Sequence, residues 1–269
     1  MIKRLSAFLI LTISFWLLFS STAFSQEFNF SQAYEDYLYN YNQYRAAHTE
    51  FVAAKQQYLT YKTLTAKTEA LEKTKTMLTA RDKALRTYLI SLRLKLEKTP
   101  GVSTYEKNIV SLRLNNEIGW YETHQARLSV VGSISDSIQI SNEAQDHHPE
   151  TEVSAYQALG TIIAGEENSL RDKIQAQIDQ LEAKIAQIRQ EGKMETRLFE
   201  RWLLEAQNRL TWSKEKQFSS QSLLAELKLR ERNKGKVYNE AQQSFNESHQ
   251  YLKEATSFLL EIIREAGID

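Results

Sequence analysis

Between residues 30 and 96 the chain is written in sevens. Phe30, Tyr37, Tyr44, Phe51 and Tyr58 recur at every seventh position, and Tyr34, Tyr41 and His48 lie four residues after the first three of them. Apolar residues that alternate steps of four and three fall on one side of an α-helix. After Tyr58 the register slips, because the series Leu64, Leu71, Leu78, Leu85 and Leu92 starts six residues on instead of seven. The simplest expectation is one helix with an aromatic half and a leucine half, about 100 Å long at 1.5 Å per residue. Residues 60–68 are rich in threonine, a mediocre helix former, so a kink or break is expected near Lys62.

The rest of the chain supplies helices to pack against this one. Ser31 is the expected cap at its start, and Pro100 and Gly101 end it, since proline keeps the preceding residue from helical angles. A second helix is expected from about Ser103, where Val110, Leu114, Glu117, Tyr121, His124, Leu128 and Val131 form a seam with two polar members. From Gly132, isoleucines 134, 138 and 140 alternate with serines, a period of two that suits a strand. No other segment offers a strand a partner, so weakened helix is the better expectation, with a break at 146–149.

A third helix should run from Pro149 to about Gln190 and stop at Gly192. It carries a coiled-coil seam of Ile174, Ile178, Leu181, Ile185 and Ile188, and Gly160 and Gly165 would admit another backbone closely or allow a bend. The fourth helix has Phe199, Leu203, Ala206 and Leu210 in register with Leu224 and Leu227. Between them the register falls on Ser213, Gln217 and Ser220, so the middle of this seam looks weak, and the helix is expected to end near 233–235. The fifth carries Tyr238, Ala241, Phe245, Leu252, Ala255, Leu259, Ile262 and Ala266. Short connections make successive helices antiparallel neighbours. The expected fold is all-α, an elongated up-and-down bundle of about five long helices with coiled-coil-like hairpins.

Composition narrows the classes. Two prolines and eight glycines are too few for the turns of an all-β fold. With no cysteine, disulfides, thiolate metal sites and c-type haem attachment are excluded. Lys3 and Arg4, an apolar run over 6–19, and Ala23 and Ser25 before Gln26 have the form of a cleavable secretory signal over residues 1–25. The alternative is an uncleaved anchor helix. Without Lys3 and Arg4, 32 of the 34 basic residues remain against 34 acidic ones, which gives no electrostatic case for nucleic acid. Residues 26–269 are expected to form one domain with no further membrane span.

Tyr34, Tyr37, Tyr39, Tyr41, Tyr44, Tyr58 and Tyr61 are seven of the thirteen tyrosines, and all lie at the start of the chain. Tyr34, Tyr37, Tyr41 and Tyr44 fit the seam; together with Tyr39, which lies off it, they are the candidate interaction residues. Glu117 and His124, one heptad apart on an apolar face, would need partners if buried and could hold a metal with groups from a facing helix. Counting symmetrically about Pro100 and Gly101 places Glu117 near Arg81, Asp82 and Lys83, which favours a salt bridge, and places His124 near Met77. Glu143, Asp146, His147, His148 and Glu150 form a second polar knot, read as a solvated loop with metal binding as the alternative. No Glu-x-x-His pair, nucleophile elbow or phosphate loop occurs, so no catalytic residue and no cofactor is expected.

The pieces Tyr58-Leu59-Thr60-Tyr61, Arg81-Asp82 and Tyr88-Leu89 resemble uncharacterised exported all-helical proteins of candidate phyla radiation bacteria. The resemblance implies an exported bacterial helical protein and brings no activity or site residue with it. The functional expectation is a non-enzymatic scaffold or interaction component of the cell envelope, partnered by another protein or by itself through its seams. The alternative is a helical bundle that binds a metal or small ligand outside the cytoplasm.

Overall fold

The computed structural model describes residues 29–192, 194–229, 231 and 233–267. The export segment read at 1–25 lies outside the described residues. Among the described residues the chain is an all-α up-and-down bundle of six helices: α1 (Phe30–Tyr61), α2 (Leu64–Lys98), α3 (Thr104–Leu128), α4 (Ile134–Glu191), α5 (Arg197–Ala225) and α6 (Lys234–Ala266).

The expected single first helix is two helices folded back on each other. Lys62 adopts a left-handed conformation at φ 52°, its N–H donates to the Tyr58 carbonyl, and the Thr63 hydroxyl accepts from Ala66 N to open α2. The one-residue slip in the sevens is therefore a reversal, and Glu50 pairs with Lys73 across it at 2.7 Å. The seam of α1 also differs from the aromatic one. Its buried positions are Ala33, Asn40, Ala47 and Ala54, seven apart and three beyond Phe30, Tyr37, Tyr44 and Phe51. Small side chains there let α2 come close, and the rings are displaced to the flanks. Asn29, rather than Ser31, caps α1 by accepting from Gln32 N at 3.1 Å.

Helix α3 buries Val110, Leu114, Glu117, Tyr121, His124 and Leu128, the seam as read, behind a capping box of Ser103 and Glu106. Helix α4 starts at the Ser133 cap and runs through the serine-isoleucine stretch and through Pro149, so neither a strand nor the expected break exists there. Proline removes one backbone donor from the ladder. On either side of it His147 and Thr151 bond to Glu117 of α3, so the interface holds the segment helical. At 58 residues α4 is about 87 Å long, using 1.5 Å per residue.

That length makes α4 the spine. Its first half packs on α2 and α3, and its second half packs on the α5–α6 hairpin, while α1 lies alongside α2. The apolar core is divided in the same way: Leu89, Leu92, Leu96, Leu114, Ala158 and Ile162 fill one half, and Ile174, Ile178, Leu203, Leu210, Leu252 and Leu259 fill the other. The close approach of another backbone expected at the glycines occurs at Gly165, where a Cβ would sit 2.7 Å from the Pro100 carbonyl oxygen, whereas at Gly160 it is the Leu224 side chain that comes close. Helix α5 ends at Ala225, short of 233–235, although Leu227 beyond it is still buried. No helix among the described residues is long and apolar enough to cross a membrane.

Candidate functional site

The polar members of the α3 seam open onto a buried layer between α2, α3 and α4. Register decides the partners. The symmetric count set Met77 opposite His124, but Asp82 stands there, with Oδ2 2.5 Å from His124 Nδ1. Such a count ignores the axial stagger of α3, which is already present beside the turn, where Lys107 Nζ donates to the Glu97 carbonyl at 3.0 Å. On the other side of the ring His124 Nε2 lies 3.0 Å from the Ile140 carbonyl oxygen. A carbonyl only accepts, so Nε2 carries a proton. Arg81 donates to Asp82 Oδ1 at 3.1 and 3.2 Å, which leaves Oδ2 to accept from His124 Nδ1. Burial works against an imidazolium here, but the Asp82 and Ile140 hydrogen bonds outweigh it and raise His124 above its ordinary value.

Glu117 does not pair with Arg81 or Lys83 as expected. Its partners come from α4: His147 Nε2 lies 2.9 Å from Oε2, and the Thr151 hydroxyl donates to the same oxygen at 2.8 Å. The Tyr121 hydroxyl, 3.0 Å from Thr151 Oγ1, supplies the next bond, since the Thr151 proton is already engaged. Burial pushes the Tyr121 phenol up to about 12, against the opposing effect of Thr151. The Trp120 ring lies between the two histidines, with centroids 4.7 Å from His124 and 3.9 Å from His147, and is nearly parallel to both.

The two polar groups read separately in the sequence thus meet. His147 of the second knot turns inward to Glu117, while His148, its neighbour on the helix, points out and sits 3.9 Å from Glu152. Glu143 pairs with Arg127 at 2.6 Å, which holds its carboxyl below the usual range. Asp146 is exposed. Glu117 and His124 share a face but bind different partners, so a site made from those two is replaced by a Glu117–His147 pair and an Asp82–His124 pair.

Four of the five candidate tyrosines divide between two grooves, and Tyr34 lies outside both. Phe30, Tyr34, Tyr37 and Tyr41 form a ladder along α1 at centroid spacings of 5.8, 5.9 and 6.0 Å. Tyr37 leans on Tyr88 of α2 at 5.1 Å, and burial pushes Tyr88 up to about 12. Tyr37, Tyr41 and Tyr44 border a groove of about 530 Å³ with Tyr88, Arg81 and His148. Tyr39 faces the other way, beside Gln43, Lys75 and Lys83.

A third polar group went unread. The weak middle of the α5 seam, Ser213, Gln217 and Ser220, is buried. Arg171 donates to Ser213 Oγ at 3.0 Å, Ser213 and Ser248 hydroxyls meet at 3.0 Å, and Ser248 donates to Glu167 Oε2 at 2.8 Å. A cation and a carboxylate one turn apart on α4 are thus linked through serines of α5 and α6. Burial raises Glu167 to about 7, over the opposing Ser248 bond and the Arg171 charge. Gln217 joins Arg171 to Asn168, whose amide donates to the Gly101 carbonyl at 3.0 Å and ties this group to the α2–α3 turn. The available signal was Ser248, which falls on the α6 seam between Phe245 and Leu252, as Ser213 falls on the α5 seam after Leu210.

Compared with protein-family models, curated proteins and solved structures, the chain matches none.

Proposed function

We propose that the protein is a non-enzymatic helical scaffold of the bacterial cell envelope, exported by residues 1–25, which engages a partner protein or a second copy through the edge formed by α1. The reading rests on how that helix is packed. Alanines and Asn40 face α2, while Tyr34, Tyr39 and Tyr41 remain 43, 62 and 42% exposed beside exposed Leu38. Tyrosine gives large contact area at low entropic cost, and its hydroxyl tolerates water until a partner arrives. The buried polar groups support the same reading, because Asp82, His124, Arg171 and Glu167 hold helices to one another.

The test is mass by light scattering, with X-ray scattering, on the chain from Gln26 and on its Tyr34, Tyr39 and Tyr41→Ser triple variant. It is combined with photo-crosslinking from position 39 in whole envelopes. Association or a single crosslinked product, lost in the triple variant at unchanged helicity, is expected. A chain that stays monomeric at every concentration and crosslinks to nothing would remove the proposal.

A further inference from the structure

We infer that Glu117, His147 and Glu150 form a binding site for one divalent first-row transition ion, which clamps α3 to α4. Glu117 comes from α3, and His147 and Glu150 lie three apart on α4, a spacing that puts both on one helix face. One donor atom from each of the three lies within 4.8 Å of the others. The 2.9 Å hydrogen bond between Glu117 Oε2 and His147 Nε2 needs to open only slightly to become the edge of a coordination polyhedron. Two donors bound about 2.1 Å from one ion, at octahedral to tetrahedral angles, sit roughly 3.0–3.4 Å apart.

The surroundings hold the two inner donors in place. Thr151 fixes the Glu117 carboxylate, Tyr121 fixes Thr151, and Trp120 stacked at 3.9 Å sets the plane of the His147 ring. Such outer contacts are what orient ligands in metal sites. The third donor supplies access. The Glu150 side chain is 51% exposed and its Oε2 rests 3.6 Å from His147 Nδ1, the ring nitrogen away from Glu117, so it reaches an ion at Nε2 by rotating its own side chain while the others stay 9 and 14% exposed. One imidazole and two carboxylates select ions from manganese to zinc over calcium, which prefers an all-oxygen set. The two carboxylates neutralise the ion's charge. In a chain without disulfides such an ion would pin α4 on both sides of Pro149. The site does not depend on the scaffold reading.

The experiment is calorimetric titration of the purified full chain with Zn2+, repeated with Co2+ and followed by visible absorption. One ion per chain is expected, with affinity at least tenfold weaker in His147→Ala and in Glu150→Gln. His148→Ala, one residue away and pointing outward, should bind like the parent. Glu150→Gln alters a half-exposed side chain and keeps the inner pair, so its effect is read on a folded protein, checked by circular dichroism. Equal affinity in the parent and His147→Ala, or no stoichiometric binding by the parent, overturns the inference.

Discussion

His124 Nδ1 and Asp82 Oδ2 lie 2.5 Å apart between α3 and α2, and neither side chain is more than 1% exposed. Taking two charges out of water costs several kcal/mol for each, and the pair is tolerable because every polar atom has a partner: Arg81 on Asp82 Oδ1 and the Ile140 carbonyl on His124 Nε2. One ion pair thus fixes the register of three helices, since the carbonyl belongs to α4.

Breaking the pair from one side leaves a buried imidazolium without its counter-charge. Asp82→Asn should lower stability by about 3–5 kcal/mol in urea unfolding near pH 6. The folded His124 pKa is raised above its unfolded value near 6.5, so the native chain holds the proton more tightly than the unfolded one. The pair's contribution is therefore full below about pH 6.5 and is lost as pH rises through the folded pKa. Asp82→Asn should flatten that part of the stability profile, and an unchanged profile would contradict the assignment of charge.

Glu167 slopes the same way for a different reason. Its folded pKa of about 7 lies above the ordinary 4.5, so between those values the native chain keeps a proton that the unfolded chain releases. Stability falls across that window and stays reduced above it. Glu167→Gln keeps the neutral form and an acceptor for Ser248, so it should leave stability at pH 4.5 nearly unchanged and raise it at pH 8. The ceiling is about 3 kcal/mol, at roughly 1.4 kcal/mol per pKa unit. Thermal melts of both proteins at the two pH values measure it, and equal melting temperatures at pH 8 would mean that burial does not raise the carboxyl of Glu167 in the native state.

Two helical glycines should respond oppositely to alanine. A Cβ at Gly165 would sit 2.7 Å from the Pro100 carbonyl oxygen and 2.9 Å from Thr99 Cγ2, and that backbone is held by the turn. Gly165→Ala should cost about 1–3 kcal/mol or more through overpacking. Nothing lies within 4 Å of a Cβ at Gly119, so Gly119→Ala should gain about 0.5–1 kcal/mol from reduced backbone entropy in the unfolded chain. Denaturant midpoints of the two variants check both signs.

What the sequence revealed follows from which forces leave a periodic trace. The α3 seam was legible residue by residue, because burial of one helix face repeats every three or four positions, and Gly165 announced close packing because a Cβ there meets the Pro100 backbone. Seams with polar members were harder. Glu117 and His124 stood out as charged, but their partners depended on a stagger that periodicity does not encode. Ser213, Gln217 and Ser248 are small and polar, so the same register read as weakness although the positions are buried and bonded. In α1 the rings masked the alanines three positions on, because aromatic size suggests burial while close helix packing favours the smallest side chain.

The turn between α1 and α2 was legible as a break near Lys62 but not as a reversal, since it contains neither glycine nor proline, and it gives the sharpest test of the architecture. Lys62 at φ 52°, ψ 22° carries a Cβ where L-residues pay about 1–2 kcal/mol, a conformation that glycine adopts freely. Lys62→Gly should therefore stabilise the chain by about 0.5–1 kcal/mol, part of the relief being offset by the freer unfolded glycine. In one continuous helix through Tyr58 and Leu64 the same substitution would destabilise by about 1 kcal/mol. The sign of the change in urea midpoint thus distinguishes a hairpin from a rod. The hairpin keeps Glu50 beside Lys73 and Tyr37 against Tyr88, whereas a rod would hold the first pair about 35 Å apart and the second about 77 Å apart, at 1.5 Å per residue.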